Sequence, residues 1–194
     1  MARADGDPAS DVLISGQVFL PYDAKIPSSP QHELLAAVKS ANANGLRIRV
    51  ALIWTSYDLG SVPQLFKNPR YYARFLDTED SYWFKTKTKL VVAMPNGLGF
   101  AQWKHSPAGG YRLLAGIKVA PTPVGMAKAA TAAVKKLAAA AGVKVSTSGP
   151  VTSVPTSRNA QNRVKIIVAV AVALLLGFVA RVLIRRRAAR SALR

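Results

Sequence analysis

The stretch Leu46–Trp54, LRIRVALIW, decides the fold class of this chain. Alternate positions place a continuous apolar row on one face of a strand: Leu46, Ile48, Val50, Leu52 and Trp54. On the opposite face, two arginines give way to Ala51 and Ile53. A strand that is apolar on both faces is typical of the interior of a sheet covered on both sides. We therefore expect this stretch to be a central strand of an α/β domain.

The residues before this strand predict a helix and a further strand. Leu34, Leu35, Val38 and Ala41 recur at helical spacing, Ser29 is a candidate N-cap, and Gly45 is placed to end the helix. Earlier still, Asp11–Tyr22 (DVLISGQVFLPY) contains two short apolar pieces around Gly16. We interpret it as the first strand, with Gly16 at a bulge or turn.

The residues after Trp54 predict a crossover and then a hairpin. A helical stretch around 71–76 leads to the apolar run Leu90–Met94, and a connection of this length favours a parallel strand pair. Pro95-Asn96-Gly97 is a turn signal, after which 100–103 can return as a hairpin partner. Residues 111–119 are a further candidate strand, and 124–141 an alanine-rich helix. The predicted fold is therefore α/β, a small mixed sheet with helices on both faces in the order βαβαββα, over residues 11–141.

This order, followed by a Ser/Thr/Pro-rich linker and a C-terminal apolar run, resembles a TPM domain. The resemblance rests on QHELLAAVKSANANG running into LRIRVALIW, on KLVVAMPNG, and on the closing alanine-rich helix. It implies an α/β domain held outside a membrane by a C-terminal span. In that family the third strand commonly leads into an acidic turn, and some members are credited with phosphatase activity or metal binding. Here the turn is PNG and no acidic residue follows it, which argues against both roles for this chain.

A second apolar run, 164–184, predicts a transmembrane helix. At about 1.5 Å per residue it covers roughly 30 Å, the thickness of a hydrocarbon core. Six arginines cluster from Arg181 onward, against three basic residues just before the run. Because basic residues favour the cytoplasmic side, we expect a single-pass cell-membrane protein with residues 185–194 as a cytoplasmic tail and the N-terminal domain outside. The alternative, a tail-anchored protein with a cytosolic domain, would have to export the arginine cluster.

Two smaller patterns bear on the anchor and its flanks. Ala169, Ala173 and Gly177 recur at four-residue spacing and form a candidate face for self-association in lipid. Residues 142–163, rich in Ser, Thr and Pro, predict a linker between the domain and the membrane. Residues 1–10 lack an apolar segment, yet Ala2-Arg3-Ala4 resembles the end of a signal peptide. Either a signal sequence precedes Met1, or this Ala-x-Ala is a chance pattern of an alanine-rich chain.

The charge distribution indicates which partners to expect. The chain has a net charge of +18. All nine acidic residues lie at or before Asp80, whereas nineteen Lys or Arg follow Ser81. A basic surface close to a membrane is attracted to anionic lipid, which makes membrane lipid an expected partner beside other envelope proteins. Nucleic acid is not expected, since no recognition motif accompanies the charge. A solvated lysine-rich face is the alternative interpretation.

The sequence offers few catalytic or metal-binding candidates. Asp77, Glu79 and Asp80 are its carboxylate cluster, for which we expect a solvated helix end rather than a metal site. His32 and His105 sit in no ligand pattern, and the chain has no cysteine. Gly97–Phe100 (GLGF) matches the carboxylate-binding loop of PDZ domains, but a hairpin turn explains it better. We expect no cofactor.

Two function classes remain open from the sequence. The first is a non-catalytic, membrane-anchored extracytoplasmic domain that binds a partner protein or the lipid surface. The second is a TPM-like hydrolase that uses carboxylates and a metal ion.

Overall fold

The computed structural model describes residues 6–83 and 88–149, except the side chains of residues 82 and 83. The chain divides into two units, Met1–Thr152 and Ser153–Arg194, and the described residues belong to the first. The predicted linker from residue 150 onward, the span 164–184 with its small-residue face, and the tail 185–194 lie outside the described residues. Within the described ranges, no helix is both long and apolar enough to cross a bilayer.

Eleven elements follow one another along the described chain. They are α1 (Pro8–Ser15), β1 (Val18–Phe19), α2 (Ser28–Ala43), β2 (Ile48–Leu52), two 3-10 turns (Ser56–Leu59 and Pro63–Leu65), α3 (Pro69–Trp83), β3 (Lys89–Met94), β4 (Gly97–Gln102), α4 (Ala108–Leu114) and α5 (Pro123–Ala140). The α/β class is confirmed, although the order of elements differs from the predicted one.

The sheet has four strands in the order β1-β2-β3-β4. β1, β2 and β3 run parallel, and β4 returns antiparallel to β3 as a hairpin partner. The register aligns one buried side chain from each strand in a row across the sheet: Val18, Val50, Val91 and Phe100. The interior position of β2, its parallel pairing with β3 and the hairpin at Pro95-Asn96-Gly97 are thus confirmed.

Helices cover the sheet on both sides. On one face, Leu13 of α1 and Tyr72 and Leu76 of α3 join a single core cluster with strand residues such as Ala51 and Val92. On the other face α2 and α5 pack together against β2 and β3, and α4 packs against β4 and α5. The buried stripe of α5 matches the predicted one: Met126, Ala130, Ala133, Val134 and Leu137.

The predicted first strand is wrong over most of its length. Residues 8–15 form α1, and only Val18–Phe19 pair as a strand. Pro8 stands at the first helical position, and the Asp7 carboxylate accepts a hydrogen bond from the Ala9 N–H at 3.2 Å. Both features stabilise a helix start. Ala9 and Leu13, four residues apart, are then buried on one helical face. The first apolar piece, residues 12–14, therefore belongs to a helix that begins before the predicted domain boundary at residue 11.

The strand predicted at residues 111–119 is also absent, because α4 occupies Ala108–Leu114. The Tyr111 ring meets Phe100 edge-on at 6.3 Å between centroids, and its hydroxyl accepts a hydrogen bond from the Phe100 N–H at 3.0 Å. This contact covers part of the outer edge of β4. An edge strand protected by a side chain needs no further strand beside it.

A buried hydrogen bond ties the start of the domain to α3. The Tyr72 hydroxyl donates to the Asp7 carboxylate, lying 2.7 and 2.8 Å from its two oxygens, and Tyr72 is fully buried. Burial, followed by the charge of Asp7, raises the pKa of Tyr72, so the hydroxyl remains a donor. The pair therefore holds α1 against α3.

We predict that Tyr72→Phe lowers the free energy of unfolding by about 2 kcal/mol, since a buried carboxylate loses its hydroxyl donor. Tyr71→Phe is the matched control, because that neighbouring tyrosine is 66% exposed. Urea denaturation of both variants measures the difference. Equal stability of the two variants would show that the Asp7–Tyr72 bond does not hold α1 in place.

Gly99 permits the close approach of α3 to β4. A Cβ at this position would meet the carbonyl oxygen of Pro69, at the start of α3, and the Cβ of Ala73. The second glycine of the GLGF motif is therefore explained by helix–sheet packing inside a β-strand, and the hairpin interpretation of that motif is confirmed.

We expect Gly99→Ala to destabilise the domain by about 1–3 kcal/mol, the usual cost of overpacking against backbone. Gly109→Ala is its control, because nothing lies within 4 Å of a Cβ at that helical position in α4. The control should be neutral or gain up to about 1 kcal/mol from helix propensity. Thermal unfolding followed by circular dichroism distinguishes the two, and a stable Gly99→Ala would contradict the packing described here.

Candidate binding groove

An open groove of about 410 Å³ lies where the C-terminal half of α3 passes the end of β4. Arg74, Asp77 and Thr78 line it from α3. The residues that follow and end β4 line it from the other side: Gln102, Trp103, Lys104 and His105. Both signs of charge and one large aromatic ring therefore meet in a single depression.

Helical spacing brings the three α3 side chains together. Residues at i, i+3 and i+4 share one face of a helix, and the Thr78 hydroxyl donates to the Arg74 carbonyl oxygen at 2.9 Å. Arg74 and Thr78 are exposed, whereas Asp77 is half-buried. Burial, and then the neighbouring charge of Asp80, raises the pKa of Asp77 to about 6.

A tight turn arranges the opposite wall. Lys104 adopts a left-handed backbone conformation with φ of 55°, and the His105 N–H donates to the Gln102 carbonyl oxygen at 3.0 Å. The Lys104 ammonium lies 5.5 Å from the centre of the Trp103 ring. Such a cation–π contact keeps the lysine beside the half-buried indole. The turn thus presents an aromatic surface with a fixed positive charge next to it.

The predicted carboxylate cluster does not form one site. Asp77 lines the groove and Glu79 is exposed, but Asp80 is only 7% exposed and pairs with Arg49 at 3.4 Å. The expectation of a solvated helix end is therefore wrong for Asp80. Its Oδ1 atom is buried and has no hydrogen-bond partner in the described part of the chain. Burial outweighs Arg49 and raises the pKa of Asp80 to about 6.

The other buried carboxylates are bonded within the fold. Asp58 accepts hydrogen bonds from the Trp54 and Thr55 N–H groups, both at 2.8 Å, and so caps a 3-10 turn. Asp7 caps α1 and binds Tyr72. In residues 6–83 and 88–149, no three His, Asp or Glu side chains come together as a potential metal site.

The two histidines are both exposed, as predicted for surface residues. His32 lies in the N-terminal half of α2, far in sequence from any groove residue, whereas His105 lines the groove. The groove also contains three residues that the sequence patterns did not predict as site residues: Arg74, Trp103 and Lys104. The available signal was the run Trp103-Lys104-His105 at the end of the hairpin strand predicted at 100–103, where a turn exposes consecutive side chains.

The three raised carboxyl pKa values predict a domain that becomes more stable on mild acidification. Asp7, Asp77 and Asp80 each have a pKa of about 6, raised by burial from an ordinary value of 3.8. A carboxyl group with a raised folded-state pKa binds protons more tightly when folded, so stability rises as pH falls through about 6 towards 3.8. We expect a higher melting temperature at about pH 5 than at about pH 7.5.

Asp77→Asn should raise the melting temperature at about pH 7.5, because it removes one half-buried charge. It should also make the melting temperature depend less on pH. Glu79→Gln, at the exposed position two residues further on, is the control. Differential scanning calorimetry of both variants at the two pH values provides the comparison. A melting temperature that falls on acidification would contradict the assignment.

No protein-family model matches this chain, and neither does any curated protein or solved structure. The geometry of the described residues therefore carries the functional conclusion.

Proposed function

We propose that this chain is a membrane-anchored, non-catalytic binding module with a TPM-like domain. The span 164–184 holds the domain outside the cell membrane, and the groove between α3 and β4 binds an acidic segment of a partner protein. The order of three parallel strands followed by an antiparallel hairpin strand supports the likeness. The patterning of the apolar run and its flanking arginines supports the anchor.

The observation that carries the binding role is the composition of the groove. Trp103 supplies a large, half-buried apolar surface, and Arg74 and Lys104 flank it with positive charge. Tryptophan and arginine are the residues most enriched among those that dominate protein–protein binding energies. An open groove of about 410 Å³ accommodates an extended peptide segment better than it encloses a small substrate. The two cations favour a segment that carries acidic side chains.

The arrangement of the carboxylates supports a non-catalytic module over the hydrolase. Asp7, Asp58 and Asp80 each bond to groups inside the domain, and no three His, Asp or Glu side chains of the described residues come together to hold a metal ion. The turn after β3, acidic in the resembled family, has Asn96 here. Its side-chain amide donates to the carbonyl oxygen of Lys67 and so connects two loops. A neutral amide lacks the negative charge with which an acidic turn would attract a cation.

One observation favours the alternative, a TPM-like metal-dependent phosphatase or hydrolase. Asp77, with its pKa raised to about 6, and His105 line the same groove. A carboxyl group of that pKa beside a histidine suits general acid–base chemistry. The hydrolase therefore remains the second candidate.

Photo-cross-linking in the native host tests the binding role. A benzoyl-phenylalanine at His105 lies in the groove, whereas the same probe at His32 lies on exposed α2 and serves as the control. We expect a discrete cross-linked partner from position 105 and none from position 32. Adding Trp103→Ala should lower the yield at least about tenfold, since truncating such an anchor costs about 2 kcal/mol or more.

Tyr57→Ala is the matched control for the tryptophan variant, because Tyr57 is 85% exposed and lies outside the groove. Equal cross-linking from both histidine positions, or a yield unaffected by Trp103→Ala, would contradict the proposal. Hydrolysis of p-nitrophenyl phosphate by the purified chain, abolished by Asp77→Asn, would favour the hydrolase instead.

A further inference from the structure

The exposed face of α5 is a row of lysines. Met126, Ala130 and Leu137 bury one side of this helix against the sheet, and Lys128, Lys135 and Lys136 emerge from the other. Positions seven and eight apart return to the same face of a helix after two turns. The three ammonium groups therefore form a single stripe directed away from the sheet.

α4 and the loop that follows it extend this stripe. Arg112 and Lys118 are exposed, and Leu113 leaves 38% of its side chain exposed between them in sequence. The Lys136 ammonium donates to the carbonyl oxygen of Ala115 at 3.3 Å, which connects α5 to that loop. We call this surface the α4–α5 basic face, formed by Arg112, Leu113, Lys118, Lys128, Lys135 and Lys136.

No acidic side chain of α4 or α5 balances these charges, since the sequence has no Asp or Glu after Asp80. Six of the nine acidic residues instead lie on α1, the first 3-10 turn or α3, on the opposite side of the sheet: Asp7, Asp11, Asp58, Asp77, Glu79 and Asp80. Most of the acidic residues therefore lie on the α1–α3 side, together with Arg70 and Arg74 of α3. On the other side, Glu33 of α2 is outnumbered by the basic residues of α4 and α5. A one-sided charge distribution gives the domain a preferred orientation next to a charged surface.

The chain leaves this layer towards the predicted anchor. After α5, the Ser146 N–H donates to the Ser40 hydroxyl at 3.0 Å, and the Asn44 side chain donates to the Lys144 carbonyl oxygen at 3.1 Å. The exit therefore runs along α2, which packs beside α5. Residues 150–163 separate the described chain from the predicted span, and fourteen residues reach at most about 50 Å.

We propose that the α4–α5 basic face docks onto the anionic lipid surface of the membrane that anchors the chain. This inference rests on the anchor of the proposed function. Each well-placed lysine or arginine gains about 1 kcal/mol at an anionic bilayer surface, roughly fivefold in affinity. A short tether also gives the face a local lipid concentration in the millimolar range, so a modest affinity suffices. Leu113 adds apolar contact at the headgroup boundary.

Lipid suits this face better than nucleic acid. The positive charge lies across one broad helical surface without exposed aromatic rings for base stacking, since the exposed large side chain on it is Leu113. The predicted location outside the cell also brings lipid headgroups, rather than nucleic acid, within reach of the tether.

The absence of cysteine from the sequence allows a clean test with the full chain. Ala139→Cys places a fluorophore at an exposed position near the end of α5, and Gln64→Cys places one at an exposed position of the second 3-10 turn, which packs on the α3 side. Each labelled chain is reconstituted into nanodiscs that contain a lipid-borne quencher, either neutral phosphatidylcholine alone or with about a third phosphatidylglycerol. With the anionic lipid, we expect stronger quenching at position 139 than at position 64. The difference should be absent with neutral lipid alone, and high salt should abolish it by screening the charges.

Two charge variants sharpen the test. Lys128→Gln with Lys135→Gln should weaken docking about thirty-fold, at roughly fivefold per lysine. Lys25→Gln with Lys67→Gln removes two exposed charges outside the α4–α5 basic face and should leave docking unchanged. Neither double variant touches the Lys136–Ala115 contact or a buried side chain, so equal melting temperatures verify intact folding.

Three results would overturn the inference. The first is equal quenching at positions 139 and 64 in anionic nanodiscs, and the second is docking that both double variants weaken alike. The third is that the chain binds duplex DNA, that the Lys128→Gln, Lys135→Gln variant binds it more weakly, and that no lipid quenching is seen. That result would make the face a nucleic-acid surface. Flotation of the chain with neutral vesicles tests the anchor separately. A chain that does not float contradicts the proposed function, whereas a floating chain without quenching contradicts only the docking.

Discussion

Burial of β2 and β3 on both faces is the constraint on which the rest of the structure depends. Val50 and Val91 point to one side, Ala51 and Val92 to the other, and all four are inaccessible to solvent. Two apolar faces need two helical layers, because burying apolar surface stabilises the fold by about 25 cal/mol per Å² and an uncovered face would lose that stabilisation. α1 and α3 supply one layer, and α2, α4 and α5 the other. The close contact at Gly99 and the edge contact of Tyr111 complete this enclosure.

The same layering separates the polar chemistry of the domain. Buried carboxylates gather on the α1–α3 side, where Asp7 and Asp80 bond to Tyr72 and Arg49 rather than converging on a common ligand. Their burial raises their pKa values and connects stability to pH, without creating a metal site among the described residues. The basic residues of α4 and α5 lie on the opposite side. The groove beside Trp103 belongs to the α3 side, so docking through the α4–α5 basic face would leave it accessible to a partner.

Much of the fold could be predicted because the spacing of apolar residues indicates whether a helix or strand is buried on one side or on both. The strand around Val50, the hairpin at Asn96 and the stripe of α5 follow from periodicity and turn chemistry. The two errors had specific causes. Asp7 and Pro8 outweigh the strand-like pieces after Asp11, since a capped, proline-initiated start favours a helix. Residues 111–119 were predicted as a strand, but residues 108–114 form a helix that protects the edge of β4 with Tyr111.

By itself, the sequence determined the α/β class, the central parallel pair, the closing hairpin and the concentration of positive charge after Asp80, because each depends on residues near one another in the chain. Only the tertiary structure decided which face each helix covers. α2 and α3 lie on opposite faces although both connections step in the same direction across the sheet, so the two crossovers have opposite hands. It also decided that Asp80 is buried against Arg49 and that Arg74 and Trp103 line one groove. The residues of each pair lie some thirty positions apart, and no local periodicity encodes which distant side chains packing will bring together.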